Sequence, residues 1–248
     1  MFWLRVALGI PAAVLVQVII HRTANLQPDK DAVSAFVGAM GTLYSVLAGF
    51  TVVSVWQQFS DTDRAVKREA RNLRELWRYV GYVEDPEGVA RARRAIERYL
   101  RKVVAVEWPE MIARKAATAA EDDYFAMADA VNAITVTTRR DVPAWAEAVR
   151  TLGEVSDARG ERQVYVAVRM PLLLRTLLYI ATITLLLGIA LLRFQEAIVG
   201  GVVLTAATVV SILVLEVIDD LDDPFGGAWT ISTAPFDRLE FRDDARME

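Results

Sequence analysis

Residues 170–218 read MPLLLRTLLYIATITLLLGIALLRFQEAIVGGVVLTAATVVSILVLEVI, and this stretch decides the fold. It holds two apolar runs, Pro171–Leu192 and Ile198–Ile218, joined only by Arg193-Phe194-Gln195-Glu196-Ala197. Each run is roughly 20 residues long, about what an α-helix needs to cross a ~30 Å hydrocarbon core at ~1.5 Å per residue. So short a link leaves no room for a domain, so the second helix turns straight back. The pair reads as a membrane hairpin.

A second hairpin opens the chain. Its first apolar run is Phe2 to Ile20, with Arg5 near the start, where a long side chain can reach the interface. Pro11 lies inside it and is tolerated in a membrane helix. A cleaved signal peptide is the rival reading, but the run is long and no small-x-small cleavage site follows it. His21 to Asp31, with Pro28, is a short polar loop, and the second span runs from about Ala32 to Gln57. Along it Ser34, Gly38, Thr42, Ser45 and Gly49 recur at helical spacing and share one face. Such a face either lets helices pack closely or lines a wet pathway with weak hydrogen-bonding groups. Trp3 and Trp56 sit where interfacial aromatics are expected.

Composition agrees with this division. Hydrophobic residues make up 54% and charged residues 24%, segregated along the chain, as spans alternating with a water-exposed part require. The net charge of −4 gives no support to nucleic-acid binding, and the absence of cysteine excludes disulfides, thiolate metal sites and cysteine nucleophiles. Abundant Arg and Ala fit a bacterial source.

Between the hairpins lies a charged insert with four apolar stripes at helical spacing: Val66, Ala70, Leu73, Trp77, Val80; Ile96, Tyr99, Val103; Tyr124, Ala128, Val131, Ile134; and Trp145, Val149, Leu152, Val155. Asp85-Pro86-Glu87-Gly88 separates the first from the second, Trp108-Pro109 is expected to end the second, and Asp141-Val142-Pro143 starts the fourth. The first helix is expected to continue out of span two and the last to run into span three. Arg71 with Glu75, and Glu97 with Arg101, read as ordinary surface pairs. Arg64, Lys67, Arg68, Arg71, Arg74 and Arg78 follow span two, and Arg159, Arg162 and Arg169 precede span three. The opposite loops offer Arg22, Lys30 and Arg193, so the positive-inside rule puts the insert and both termini in the cytoplasm. The expected fold is all-α: an integral membrane protein with two transmembrane hairpins, four helices in all, flanking a cytoplasmic helical bundle. Its parts are a first hairpin at 1–57, an insert at 58–170, a second hairpin at 171–218 and an acidic cytoplasmic tail at 219–248.

The tail begins Asp219-Asp220-Leu221-Asp222-Asp223 directly after Glu216-Val217-Ile218. Carboxylates so crowded repel each other, and a helix C-terminus is a poor place for negative charge. A hard cation such as Ca²⁺, pairing with the insert's basic residues, or free solvation would each relieve it. The order of an EF-hand loop is missing.

Leu47-Ala48-Gly49-Phe50-Thr51, Glu69-Ala70, Tyr99, Glu107-Trp108-Pro109-Glu110-Met111, Asp157-Ala158-Arg159-Gly160-Glu161-Arg162, Met170-Pro171 and Leu221-Asp222-Asp223-Pro224-Phe225-Gly226-Gly227 occur in an order that resembles the bestrophin-like family of bacterial and plant membrane proteins. The tail's Asp-Pro-Phe-Gly also resembles a segment of true bestrophins, which are pentameric chloride channels with a carboxylate-rich calcium clasp. The resemblance implies a homo-oligomeric, pentameric ion channel, with anions favoured and Asp219, Asp220, Asp222 and Asp223 at the clasp positions. Phe36, Tyr44 and Phe50 do not stack at regular turns as the aromatic pore neck of bestrophins does.

The function expected is thus an ion channel in the cell's inner (plasma) membrane. Its partners are membrane lipid, inorganic ions and further copies of the chain, and nucleic acid is not among them. The pathway is lined by the second span at Ser34, Gly38, Thr42, Ser45 and Gly49. The alternative is a membrane-anchored interaction or sensor protein working through its insert. An enzyme is disfavoured. His21 is the sole histidine, and no phosphate-binding glycine loop, nucleophile elbow or metal-protease motif is present. Glu107 and Glu110 read either as a catalytic pair or as partners for the insert's arginines.

Overall fold

A computed structural model of the chain describes residues 9, 11, 12, 15, 18, 19, 29–115, 118–192 and 194–239. The expected first span, residues 2–20, lies outside the described residues apart from those isolated positions, and so do Trp3, Arg5, His21, Arg22, Pro28 and Arg193. Among the described residues the fold is all-helical, without strands. The helices are α1 (Lys30–Val80), α2 (Pro86–Lys102), α3 (Trp108–Ile112), α4 (Glu121–Asn132), α5 (Asp141–Ala167), α6 (Leu172–Leu191), α7 (Ala197–Leu221) and α8 (Ala234–Asp237), with a π-helical turn, Val103–Glu107, between α2 and α3. Three of these, α1, α6 and α7, are long and apolar enough to cross a membrane.

The chain divides into two compact units. Unit 1 comprises Met1–Gln57 and Met170–Asp222. Here α7 buries Gly200, Leu204, Thr208, Ser211, Leu215 and Ile218, small or apolar side chains three or four apart, so a single seam of the helix is used for packing. The buried hydroxyls of Thr182 and Thr208 donate to the carbonyls of Leu178 and Leu204, which satisfies them without a partner helix. Gly188 marks a close approach: a Cβ there would stand 2.9 Å from Val37 Cγ2. Large apolar side chains such as Leu172, Leu173 and Ile198 face outward, the inverse of a water-soluble bundle.

Unit 2 comprises Gln58–Arg169 and Asp223–Glu248, and it has its own core. Val66, Ala70, Leu73, Trp77 and Val80, the stripe read from sequence, are all buried in it. Ile96, Tyr99, Val103, Val131, Leu152 and Val155 meet them there. Phe225, Ile231, Phe236 and Leu239 come from the far end of the chain into the same core. Trp108 anchors that end, edge-on to Phe225 at 5.3 Å and to Phe236 at 5.9 Å between ring centres.

Two expected helix ends differ. Trp108-Pro109 does not stop the second helix of the insert. Proline lacks an N–H, so the chain widens by one residue, and Trp108 N–H bonds Val103 carbonyl across a π-turn. The helix then resumes at Trp108. Nor does the last helix of the insert run on into the next span. It ends at Ala167, and Val168 is extended at ψ 125°. Pro171 accounts for part of this break, since proline disfavours helical geometry in the residue before it. Gln58 Nε2 holds the Val168 carbonyl at 2.8 Å. The pairs Arg71–Glu75 and Glu97–Arg101 are not closed among the described residues. The surface pairs present include Lys67–Asp63 at 2.6 Å and Arg68–Glu161.

Asp85 shows how the sequence starts a helix. Its carboxylate accepts the Gly88 N–H at 3.0 Å as N-cap of α2, with Pro86 in the first turn. It also accepts the Thr135 N–H at 2.8 Å, tying the loop before α5 to the start of α2. Gly88 keeps this geometry open, because a Cβ there would meet Asp85 Oδ2 at 2.1 Å. The backbone N–H of Thr135, then that of Gly88, hold the Asp85 carboxyl below its ordinary pKa. Its stabilisation is therefore fully present above the ordinary carboxylate pKa and is lost as the pH falls through the lower folded value. Asp85→Ala is expected to lower the thermal midpoint at pH 7, with the gap to wild type closing in strong acid. Unfolding curves across a pH series check both signs.

Candidate functional site

Two constellations stand out, one in each unit. The first is the outer face of α1 within residues 30–57. Gly41, Tyr44, Ala48, Thr51 and Val55 form one face of this helix. Tyr44, Ala48, Thr51 and Val55 are buried, and a Cβ at Gly41 would lie 3.8 Å from Leu185. Ser34, Gly38, Thr42, Ser45 and Gly49 lie about 100° round the helix, at about 100° per residue, and all five are exposed. A Cβ at Gly38 or Gly49 would meet nothing within 4 Å. The third face carries Phe36, Leu43, Val46 and Phe50, also exposed. The five residues read from sequence are thus brought onto one face, and no described element of the subunit covers it. Thr42 Oγ1 donates to Gly38 carbonyl at 3.0 Å and Ser45 Oγ to Gly41 carbonyl at 2.8 Å. Both hydroxyl protons are taken up by the helix, and the oxygen lone pairs face outward.

The second constellation, in unit 2, is one that sequence reasoning did not assemble. Arg162 is fully buried. Its guanidinium grips Glu69 with two nitrogens, Nε at 2.6 Å and Nη2 at 3.2 Å. Nη1 lies 2.7 Å from Glu107 Oε1 as an ion-pair contact and 3.2 Å from Met111 Sδ. Tyr99 donates its phenol to Glu69 Oε1, and Glu107 Oε2 accepts the Ala120 N–H at 2.9 Å. Arg159, nearly buried, adds a second cation 3.6 Å from Glu107 and lies over the Tyr124 ring at 5.6 Å. The buried pairs balance to neutrality: Glu69 and Glu107 against Arg159 and Arg162. Glu107 is the last residue of the π-turn, and its side chain is buried there.

Burial works against charge on Arg162, but Glu69, Tyr99 and Glu107 outweigh it and hold the guanidinium above its ordinary range. Burial, then the Glu69 carboxylate, push the Tyr99 phenol well above its ordinary pKa. Arg162 therefore stays charged and Tyr99 stays a donor throughout the neutral range. Arg159 and Arg162, basic residues near a span by sequence, are thus also members of a buried ionic cluster.

A signal for this cluster is present in the sequence. Arg159 and Arg162 continue the Leu152–Val155 register, and Glu107 continues Tyr99–Val103. A charge in an apolar register is a buried charge, and buried charges come paired.

The expected clasp positions are divided between the units. In unit 1, Asp222 accepts the Met170 N–H at 2.7 Å and Arg175 Nη2 at 2.6 Å. Asp219 lies 3.8 Å from Arg175 and accepts the Tyr179 hydroxyl at 3.3 Å. In unit 2, Asp223 receives Arg114 at 2.9 and 2.5 Å and Arg169 at 3.0 Å. Arg114 has φ 59°, the left-handed conformation that usually selects glycine after a helix. The bond to Asp223 gives a physical reason for arginine there. Asp220 also has interactions of its own. No group of three or more His, Cys, Asp or Glu able to hold a metal ion is found among the described residues.

Arg162→Met would leave the Glu69 carboxylate buried without its cation and Glu107 with Arg159 alone, and is expected to destabilise the protein by about 3–5 kcal/mol. Arg150→Met, at an exposed pair, should hardly move the midpoint; unfolding of both variants in detergent checks this. The raised Tyr99 pKa gives stability that is present below the ordinary tyrosine pKa and is lost as pH rises through the folded value. In an ultraviolet alkaline titration of wild type, the Tyr99 phenol should ionise only as the protein unfolds. The Tyr99→Phe variant should lack that late step.

A model of the bestrophin-like domain matches residues 5–236. No curated protein matches the chain by sequence. Among solved structures, the crystal structure of a bacterial bestrophin homologue from Klebsiella pneumoniae, phased with zinc, superposes with a TM-score of 0.72 at 11% identity, covering 96% of this chain and 95% of that one. A point variant of a bacterial bestrophin homologue from the same organism gives 0.75 at 12% identity, covering 94% and 97%. At such identities the likeness is one of fold.

Proposed function

The chain belongs to the bestrophin-like family, and from that premise we propose that it is a homo-oligomeric ion channel of the inner (plasma) membrane, with its pathway along the second span. The observation that carries this reading is the uncovered row Ser34, Gly38, Thr42, Ser45 and Gly49. The neighbouring face of the same helix packs inside the subunit, so close packing within one copy does not account for the small residues. One copy has too few spans to enclose a pore, and a symmetric ring of copies turns the free faces toward a common axis. Five copies follow from the family resemblance. The spans are two hairpins, with the insert and both termini on the cytoplasmic side.

The row has the chemistry for this role. Glycine leaves width, and the Thr42 and Ser45 oxygens offer weak polar contacts that a partly hydrated ion can exchange for water. The bulky face with Leu43, Val46 and Phe50 suits lipid or a neighbouring helix. No step of bond making is required of any residue, and the protein is read as no enzyme.

A second reading is supported by the separate core of unit 2: a membrane-anchored interaction or sensor protein, with no ion flux. Planar bilayers holding the purified protein under a KCl gradient separate the two. The channel reading expects a conductance, lowered by about half or more in Gly49→Leu, where the side chain narrows the pathway. Val46→Leu, on the bulky face, should leave it unchanged. A folded Gly49→Leu protein with wild-type conductance would count against this pathway.

A further inference from the structure

Unit 2 carries an open groove of about 500 Å³ between α2 and α4, which shares no lining residue with the buried cluster around Arg162. A space of that size suits a small organic molecule. One wall is α2, from which Arg91, Arg94 and Arg98 line the groove. Steps of three and four residues put them within about 60° of one another round the helix and spread them over about 10 Å of its length. All three are exposed. The opposite wall is α4 with the residue that follows it, and it presents Ala126, Ala130 and Ala133. Their methyl groups leave the groove open and offer apolar contact to a carbon frame. Asp129 is the one carboxylate of the lining, so three guanidiniums face a single acid. Asp123 holds Arg98 through Nε at 2.9 Å, which leaves its two Nη nitrogens for the groove. Arg91 acts electrostatically on Asp85 at the start of the helix. Arg94 closes no ion pair among the described residues. A row of arginines that only meets water needs no wall opposite it, and like charges three or four residues apart on a helix destabilise it.

We infer that this groove binds a small organic oligoanion that also carries a hydroxyl group: several carboxylate or phosphate groups on one compact carbon frame. Guanidiniums take oxyanion groups through paired, charge-assisted hydrogen bonds. Guanidiniums spread over about 10 Å call for several anionic groups rather than one. Asp129 adds the second requirement. An ionised carboxylate can only accept hydrogen bonds and repels a bare polyanion, so the ligand must bring a donor to that wall. A hydroxyl is such a donor. Hydroxy acids and sugar phosphates share this chemistry. Both walls of the groove lie within unit 2, and binding is read without ion flux, so the inference stands apart from the channel reading.

The test is isothermal titration calorimetry of the full chain in detergent at constant ionic strength. The probes are citrate, with its carboxylates and a hydroxyl; tricarballylate, the same frame without the hydroxyl; and fructose bisphosphate. Citrate or fructose bisphosphate is expected to bind saturably, with Kd of about 1 mM or tighter, and the tighter of the two assigns the groove to hydroxy acids or to sugar phosphates. Arg94→Gln should weaken that binding about tenfold or more. Arg91→Gln should act in the same direction, which keeps the test open if Arg94→Gln does not fold. Arg150→Gln, at an exposed arginine of α5, should match wild type. Wild type should favour citrate over tricarballylate about fivefold, and Asp129→Ala should lose that preference. Absence of saturable binding by both citrate and fructose bisphosphate overturns the inference. So does an equal loss in Arg150→Gln, which would mark general charge attraction. Tricarballylate binding to wild type as tightly as citrate overturns the hydroxyl requirement. Binding of polyglutamate without binding of the small probes would assign the groove to an acidic protein segment and overturn the inference as well.

Discussion

One fully buried guanidinium, Arg162, organises the second unit. Taking an arginine out of water costs several kcal/mol unless its donors are met. Here four elements meet them: α1 through Glu69, the π-turn through Glu107, α3 through Met111, and α2 through Tyr99, which completes Glu69. Apolar stripes would let these helices slide or rotate by a fraction of a turn at small cost. A bidentate ion pair does not, because a shift of an ångström breaks directed bonds in a place water cannot repair. The cluster therefore fixes register, and the hydrophobic core around it supplies bulk stability.

This gives the family's short motifs a physical meaning. Glu69-Ala70, Tyr99, Glu107 to Met111 and Arg159 to Arg162 lie far apart in sequence, yet their side chains meet around one guanidinium. They are marks of a buried ionic network. Met170-Pro171 and Asp222-Asp223 belong to a second set of constraints, where carboxylates at the end of α7 are each answered by arginine within their own unit.

Most of the architecture is legible in the sequence, for identifiable reasons. Apolar period and length mark α6 and α7 directly, and the first two stripes of the insert predict buried faces residue by residue, whereas the third and fourth include the half-buried Tyr124, Ala128, Trp145 and Val149. The small-residue face of α1 is equally plain, because side-chain size and helical period are properties of the letters themselves. What is not legible depends on pairing across long separations. Glu69 and Arg162 are 93 residues apart, and no local rule joins them. Basic residues were read by their distance from a span, which treats Arg162 and Arg71 alike, although one is sealed in a core and the other is open to solvent. The π-turn was hidden for a similar reason: Trp108-Pro109 is a stop signal in local chemistry, and tertiary packing overrides it.

The uninterrupted course of α1 through unit 1, residues 30–57, has a mechanical corollary. These residues form a rod about 42 Å long, without a proline or a π-turn to act as a joint. Such a rod transmits displacement as a lever does. A tilt of about 5° about its midpoint would carry each end sideways by about 2 Å, more than the radius of a water molecule. Any stimulus that moves the rod would act on its whole length at once, so local softening is an unsuitable way to engineer its response, and altering the points where it is held is the more direct one.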